Sequence, residues 1–283
     1  MSDGYTIRRM RRDEVELAVD WAAEEGWNPG LHDAECFFSA DPEGFFVGLL
    51  DDEPAGCISA VSYGEAFGFL GLYIVREEHR GRGFGMSLWQ KGMDHLRGRN
   101  VGLDGVVGEQ ENYKKSGFRL IHRSIRFQGT GGTGDGRSYP GIEEIADVPF
   151  QDLLSYDTRH FPAERSRFLR SWIAQESSAG FAFIGDGRIE GYGLLRRCRT
   201  GFKIGPLFAE DGRVAESLFS ALAGRAVRGE PIYLDVPEPN SSALSLAARH
   251  GMAETFETAR MYTGGDPGLP LDKIFGLTTF ELG

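Results

Sequence analysis

The sequence predicts an α/β protein made of two related domains in tandem. Three observations carry this reading. The chain has 283 residues, beyond the roughly 100 to 200 of a typical single domain. One succession of strands and helices is written twice, and a Gly-rich stretch separates the copies. Gly56 recurs as Gly191 and Gly117 as Gly251, at offsets of 135 (191 − 56) and 134 (251 − 117). An offset of that length argues for a duplicated domain rather than a solenoid, whose period is far shorter.

Taken in order, Phe45 to Tyr63 (FFVGLLDDEPAGCISAVSY) holds two β-rich runs around an acidic turn and reads as a hairpin. Phe67 to Val75 (FGFLGLYIV) follows as a long central strand. Met86 to Arg97 sets Leu88, Trp89, Met93 and Leu96 at helical spacing and stops near Gly98. A strand from Val101 to Val107, a short helix through Tyr113, Gly117 as its C-terminal cap and a strand from Phe118 to Phe127 complete the copy. Residues 129–141 (GTGGTGDGRSYPG) bury too little apolar surface to order themselves and read as a linker. Beyond it, Phe181 to Arg197 repeats the hairpin, and Ile232 to Met252 repeats the later strand, helix and Gly junction. The expected units are 1–128, the linker 129–141, and 142–283.

Hydrophobic residues at 41% and charged residues at 26% fit a globular chain. The N-terminus is polar where a signal peptide is apolar, and no window reaches the ~20 apolar residues of a membrane span, which implies a cytoplasmic protein with no membrane partner. Cys36, Cys57 and Cys198 are odd in number, unpaired and dispersed, so they read as small buried hydrophobes with neither a disulfide framework nor a metal site. A net charge of −11 opposes nucleic-acid binding and suits a small or cationic substrate. The cluster Arg8, Arg9, Arg11, Arg12 reads as a solvated helix entry rather than a binding patch.

Arg80 to Gly85 (RGRGFG) stands directly after a strong strand and directly before an amphipathic helix. Glycines permit a tight loop with exposed N–H groups, and a helix N-terminus adds positive potential, so the unit suits a pyrophosphate. Arg80 and Arg82 add charge. The spacing lacks the GxxxxGK of a P-loop, and GxGxG without a following acidic ribose ligand departs from a dinucleotide fingerprint. On the loop alone, a Gly-rich turn with solvated arginines stands as an equal alternative.

With LYIV (Leu72 to Val75) before RGRGFG, and YKKSGF giving Tyr113 four residues ahead of Gly117-Phe118, residues 5 to 128 resemble the GNAT superfamily of acyl-CoA-dependent N-acetyltransferases. The resemblance implies two GNAT-like domains, each a mixed, mostly antiparallel sheet flanked by helices. It implies acetyl-CoA as cosubstrate, its pantetheine arm along the backbone of Tyr73, Ile74 and Val75 and its pyrophosphate on Arg80, Gly81, Arg82, Gly83, Phe84, Gly85 and Met86. It implies that Tyr113 protonates the departing thiolate. Members with a base glutamate on the central strand carry it eleven residues before the loop, where this chain has Phe69. Asp104, a carboxylate among apolar neighbours, is the substitute candidate; a structural Asp bonded to backbone amides is the other reading. Glu109 and Glu111 read as helix N-terminal acids. Between the first helix and the hairpin, where the superfamily keeps its acceptor loops, Trp27 and Asn28 are the substrate-binding candidates.

The second copy loses the chemistry. Gly201 to Arg213 has no RxxGxG and carries two acids, and Ala247 stands where the Tyr is expected. It reads as a divergent GNAT-like domain without CoA binding, closed by a strand over Phe275 to Gly283. It either completes the acceptor site through Ser155 to Leu169 or stabilises the first domain. His160, Arg165 and Arg167 read as a solvated helix face. Three functions follow: N-acetyl transfer to a small-molecule amine, an acyl-CoA-responsive module without turnover, and acetylation of a protein or RNA.

Overall fold

In the computed structural model, residues 4–132 and 139–283 are described; the part of the expected linker at 133–138 lies outside them. The first copy runs β1 (Tyr5–Arg9), α1 (Val15–Glu24), α2 (Asp33–Ala40), β2 (Phe45–Leu50), β3 (Glu53–Tyr63), β4 (Phe67–Val75), α3 (Phe84–His95), β5 (Asn100–Val106), α4 (Gln110–Lys115) and β6 (Arg119–Thr130). The second runs β7 (Ile142–Glu144), α5 (Phe150–Asp157), α6 (Ser166–Ile173), β8 (Ser178–Gly185), β9 (Arg188–Arg197), β10 (Phe202–Ala209), α7 (Gly212–Ala223), β11 (Pro231–Pro237), α8 (Ser241–Arg249), β12 (Ala253–Tyr262) and β13 (Ile274–Gly276). No helix among the described residues is long and apolar enough to cross a membrane.

Local chemistry explains the hairpins. Leu50 pairs with Glu53, and Asp51 and Asp52 between them both have positive φ; Gly185 pairs with Arg188 around Asp186 and Gly187, again both positive. Two-residue turns of this hand match the strand twist and favour Asp and Gly. Gly117 ends α4 with φ +89°, the left-handed cap its sequence suggests.

The strands form one mixed sheet in the order β1-β2-β3-β4-β5-β12-β6-β11-β10-β9-β8-β7, with β13 beside β10. This corrects the expectation that Phe118 to Phe127 closes its own copy. β6 lies antiparallel to β11 and β12, and β12 fills the place beside β5, with Arg260 opposite Asp104. The copies exchange their last strands, so neither sheet is complete alone. The apolar core follows the exchange: Phe161, Trp172, Leu194, Tyr262 and Leu282 pack into the same cluster as Val19, Phe37 and Phe69.

Two further expectations are corrected. The last strand is only Ile274–Gly276; residues 277–283 leave the sheet and run buried between the copies. His160 and Arg165 are not a solvated face. Arg165 donates to both oxygens of Asp157 at 2.9 and 2.7 Å, and Asp157 also accepts from Tyr192 Oη. All four side chains are buried, and only Arg167 is exposed. A guanidinium so enclosed is tolerated because its partner is enclosed with it. The three cysteines are buried and free.

Candidate active site

β4 and β5 pair in parallel only from Phe67 to Leu70, opposite Asn100 to Leu103. On the other edge of β4, Ser59 faces Gly71 and Cys57 faces Ile74, so Leu72 and Tyr73 together oppose the single residue Ile58. This is a bulge, with Leu72 at φ +44°, and bulges bend a strand away from its neighbour. Beyond it β4 and β5 splay apart. A cavity of about 410 Å³ occupies the wedge between them.

The structure brings half of the sequence-predicted residues to this wedge. Tyr73, Ile74, Val75 and Arg80 line one wall; Asp104 and Tyr113 line the other, with Trp27 at the edge. Tyr113 stacks on Trp89, ring centroids 5.5 Å apart, and its ring passes close to Gly105, where a Cβ would sit 2.3 Å from it. Burial, reinforced by the nearby Glu109, pushes its phenol up to about 12. Among the described residues its hydroxyl has no hydrogen-bond partner. Burial raises Tyr73 in the same direction.

The glycine loop leads out of the wedge to α3. Gly81 and Gly83 have φ of +75° and +87°, with nothing near a hypothetical Cβ, so glycine is needed there for its backbone and not for space. Gly83 caps α3 without any side-chain acceptor, which leaves the amides of Phe84, Gly85 and Met86 without intrahelical partners. The Phe84 side chain is buried and stacked on Tyr5 at 4.1 Å; it anchors the loop and only its backbone faces outward chemistry. Met86 is exposed. Arg80 donates to the Val75 carbonyl at 2.8 Å and to Glu25 at 2.5 Å, tethering the loop to β4. Arg82 sits over the Phe84 ring at 4.8 Å and makes no ion pair among the described residues.

Asp104 is fully enclosed, and both of its oxygens accept from Arg260, at 2.9 and 2.5 Å; Thr258 Oγ1 approaches at 3.3 Å. Asn28 does not reach the wedge. Its φ is +52°, and its side chain exchanges hydrogen bonds with the backbone of Thr200, 3.0 and 2.8 Å long. Sequence reasoning missed the wall supplied by the second copy, namely Phe256, Thr258, Phe280 and Glu281. The segment Ser155 to Leu169 does not line the cavity; its Arg165 instead holds residues 278 and 283. A signal was present: Arg260 is the lone cation of its strand, between the apolar Ala259 and Met261, and such a residue, if buried, needs a buried partner.

The second copy contains the same wedge, filled. β10 pairs with β11 only from Phe202 to Ile204, and it carries one extra residue opposite β9 between Ile204 and Leu207. Here β13 packs into the gap, pairing with β10 at Leu207 and Phe208. The helix that follows, α7, is capped by its own Asp211, whose carboxylate accepts from the amides of Arg213 and Val214 at 2.8 and 2.9 Å. A carboxylate occupies the position where an open N-terminus would take a phosphate.

One open wedge beside an uncapped helix, with a plugged copy of both in the same chain, is the arrangement of a tandem acyltransferase. Residues 8–118 match the acetyltransferase (GNAT) family, and residues 153–276 match an acetyltransferase (GNAT) domain. The chain belongs to the GNAT acyltransferase family as a tandem member. It is 31% identical over 280 residues to the holothin acyltransferase of a Pseudoalteromonas strain, covering 99% of this chain and 95% of that one. In fold it is similar to a proposed acetyltransferase from Pyrococcus horikoshii, with a TM-score of 0.85, 22% identity, and coverage of 100% and 97%. A tandem GNAT protein from the clavulanic acid biosynthesis pathway also shares the fold, at TM-score 0.64, 14% identity, and coverage of 93% and 99%. Members of the family generally use acyl-CoA. Among the described residues no group of three or more His, Cys, Asp or Glu is arranged to hold a metal.

Proposed function

We propose that the chain transfers an acetyl group from acetyl-CoA to the amine of a small molecule by direct attack on the thioester. The observation that carries this reading is the single cavity on which Tyr113, the freed edge of β4 and the residues of the second copy converge. In this reading the backbone of Tyr73 to Val75 holds the pantetheine arm like an added strand. The uncapped amides at Phe84 to Met86 hold the pyrophosphate, with Arg82 adding charge. An amide of Ile74 or Val75 receives the developing oxyanion, an effect worth roughly 10² to 10³ in rate per well-placed donor.

The amine nitrogen attacks the thioester carbon, the C–S bond breaks, and the sulfur takes the Tyr113 hydroxyl proton. A phenol held at about 12 is protonated at every working pH. An ordinary thiol has a pKa near 8.5, so complete transfer relies on the dry wedge making the leaving sulfur more basic. The likeness to the holothin acyltransferase supports acyl transfer as the reaction. The aromatic walls, Phe256 and Phe280, favour a small acceptor over a folded macromolecule.

The test is thiol release from acetyl-CoA across a panel of amines. Release is expected with at least one amine, and Tyr113→Phe is expected to slow it by about 10²-fold or more. Acetyl-CoA binding without release for any amine would overturn the enzyme reading and favour a regulatory module.

A further inference from the structure

We propose that Glu281, supplied by the second copy, takes the proton from the attacking amine; this rests on the acyl-transfer reading above. Phe69 stands where a strand glutamate would serve, so the base must come from elsewhere in the wedge. Four carboxylates line the cavity. Glu25 is exposed and bonded to Arg80. Asp104 has both oxygens committed to Arg260. Glu109 is exposed to solvent and bonded by Asn112 at 2.7 Å. Glu281 differs from all three: it is 3% exposed, Thr279 Oγ1 donates to its Oε2, and its buried Oε1 has no partner among the described residues. An unpaired buried carboxylate oxygen is costly, and at the wall of a cavity a proton donor arriving there would satisfy it.

Its position is fixed by β4. An added Cβ on Gly71 would lie 1.9 Å from the Glu281 carbonyl oxygen, so the missing side chain admits the segment against the bulge. The segment is then held from both sides: Tyr63 Oη donates to the Leu282 carbonyl at 3.1 Å, and Arg165 donates to Thr278 Oγ1 at 2.9 Å. Glu281 therefore stands beside the stretch of β4 from Gly71 to Ile74 that the thioester would follow. Arg126 on β6, Arg196 on β9 and Lys203 on β10 all feel its charge. Arg126 and Arg196 are themselves paired, with Asp235 and Asp33, and Lys203 donates to the Asn28 carbonyl. Lys203 meets no carboxylate among the described residues and Arg196 Nη1 has no partner, so Glu281 also stands near unanswered positive charge. Asp104, fully paired with Arg260, lines the same cavity.

The step balances. The N–C bond forms as the C–S bond breaks; the amine proton goes to Glu281 Oε1, and the Tyr113 proton goes to sulfur. Exchange with solvent then returns one proton to Tyr113 and removes one from Glu281.

The full chain carrying Glu281→Gln or Glu281→Asp tests this, with kcat, KM for the amine, acetyl-CoA affinity, thermal melting and the pH dependence of kcat/KM as readouts. For Glu281→Gln we expect kcat to fall by about 10²- to 10³-fold with acetyl-CoA affinity kept, and the rate to rise with hydroxide in place of a plateau. Glu281→Asp keeps a carboxylate and is expected to retain at least about ten times the activity of the Gln variant. A Gln variant within about three-fold of wild type across the pH range overturns the role of Glu281 alone. Equal losses of activity and melting temperature in both variants also overturn it, by assigning Glu281 a structural part. Wild type that releases no thiol with any amine overturns the acyl-transfer reading and this role together.

Discussion

The Asp104–Arg260 pair tests whether the exchanged strand is energetically part of the site. Arg260→Met keeps an unbranched apolar stem but removes the guanidinium, which sits over the Phe69 ring at 5.1 Å, and with it every donor to Asp104. Asp104 has no exposed side-chain surface and Arg260 has 4%, so solvent cannot replace the lost partner. Orphaning a buried charge in this way costs about 3–5 kcal/mol. With an unfolding entropy of about 2.1 cal/mol/K per residue, a chain of 283 residues has roughly 0.6 kcal/mol/K in all. If the exchanged sheet melts as one unit, Tm then falls by roughly 5–8 °C. Adding Asp104→Asn removes the orphaned charge and leaves a polar group that Thr258 can still reach, so the double variant recovers to within about 1–2 kcal/mol of wild type. Denaturant unfolding of wild type, both single variants and the double variant gives the coupling energy directly. A single variant that loses less than about 1 kcal/mol, or a double variant no more stable than Arg260→Met, would refute the reasoning.

Three other outcomes follow from the same geometry. Because Tyr113 titrates at about 12 and an unfolded tyrosine near 10, its neutral form is favoured by folding. Its contribution to stability is complete below pH 10 and is lost as pH rises toward 12. The kcat profile should accordingly show no descending limb from this residue below about pH 11; a limb near 9 that vanishes in Tyr113→Phe would contradict the assignment. Gly71→Ala forces a Cβ against the Glu281 carbonyl; overpacking of this kind costs about 1–3 kcal/mol, and kcat should drop more than acetyl-CoA affinity, as measured by melting and steady-state kinetics. Asp211→Ala removes the cap of α7 at about 1 kcal/mol, lowering Tm by roughly 2 °C without changing kcat or KM. A change in acetyl-CoA affinity there would mean that the second copy still binds cofactor.

Local features of the fold were legible because they rest on nearest neighbours in sequence. The acidic turn at Asp51-Asp52, the Gly117 cap and the apolar stripe of α3 are decided within a few residues, and the glycines at 81 and 83 declare a backbone conformation that other residues resist. Asn28 shows the limit. A polar residue in an aromatic-rich loop reads as a ligand, yet its left-handed backbone and its bonds to Thr200 make it a clasp between the copies. The exchange of β6 and β12 was illegible for a different reason: an antiparallel strand closing its own sheet and the same strand crossing to its neighbour have the same alternation of side chains. His160 and Arg165 were misread because charge was taken as a sign of solvent, whereas Asp157, eight residues before Arg165, buries with it. Glu281 was missed because its function depends on Gly71, more than two hundred residues away, making room for it.

The exchange also makes the first copy's cavity depend on the second copy. β12 occupies the place where β6 would close the first sheet, so Thr258 and Arg260 meet Asp104 at the floor of the wedge only if the second copy is folded. The same dependence holds for residues 277–283, which Arg165 and Asp157 hold from the second copy while Gly71 and Tyr63 receive them in the first. In the second copy the corresponding wedge is closed by β13, which pairs with β10. The segment that leads on from that plug delivers Phe280 and Glu281 to the open wedge. Closure of one wedge and completion of a wall of the other are therefore one structural change, made by the course of the chain from Ile274 to Gly283.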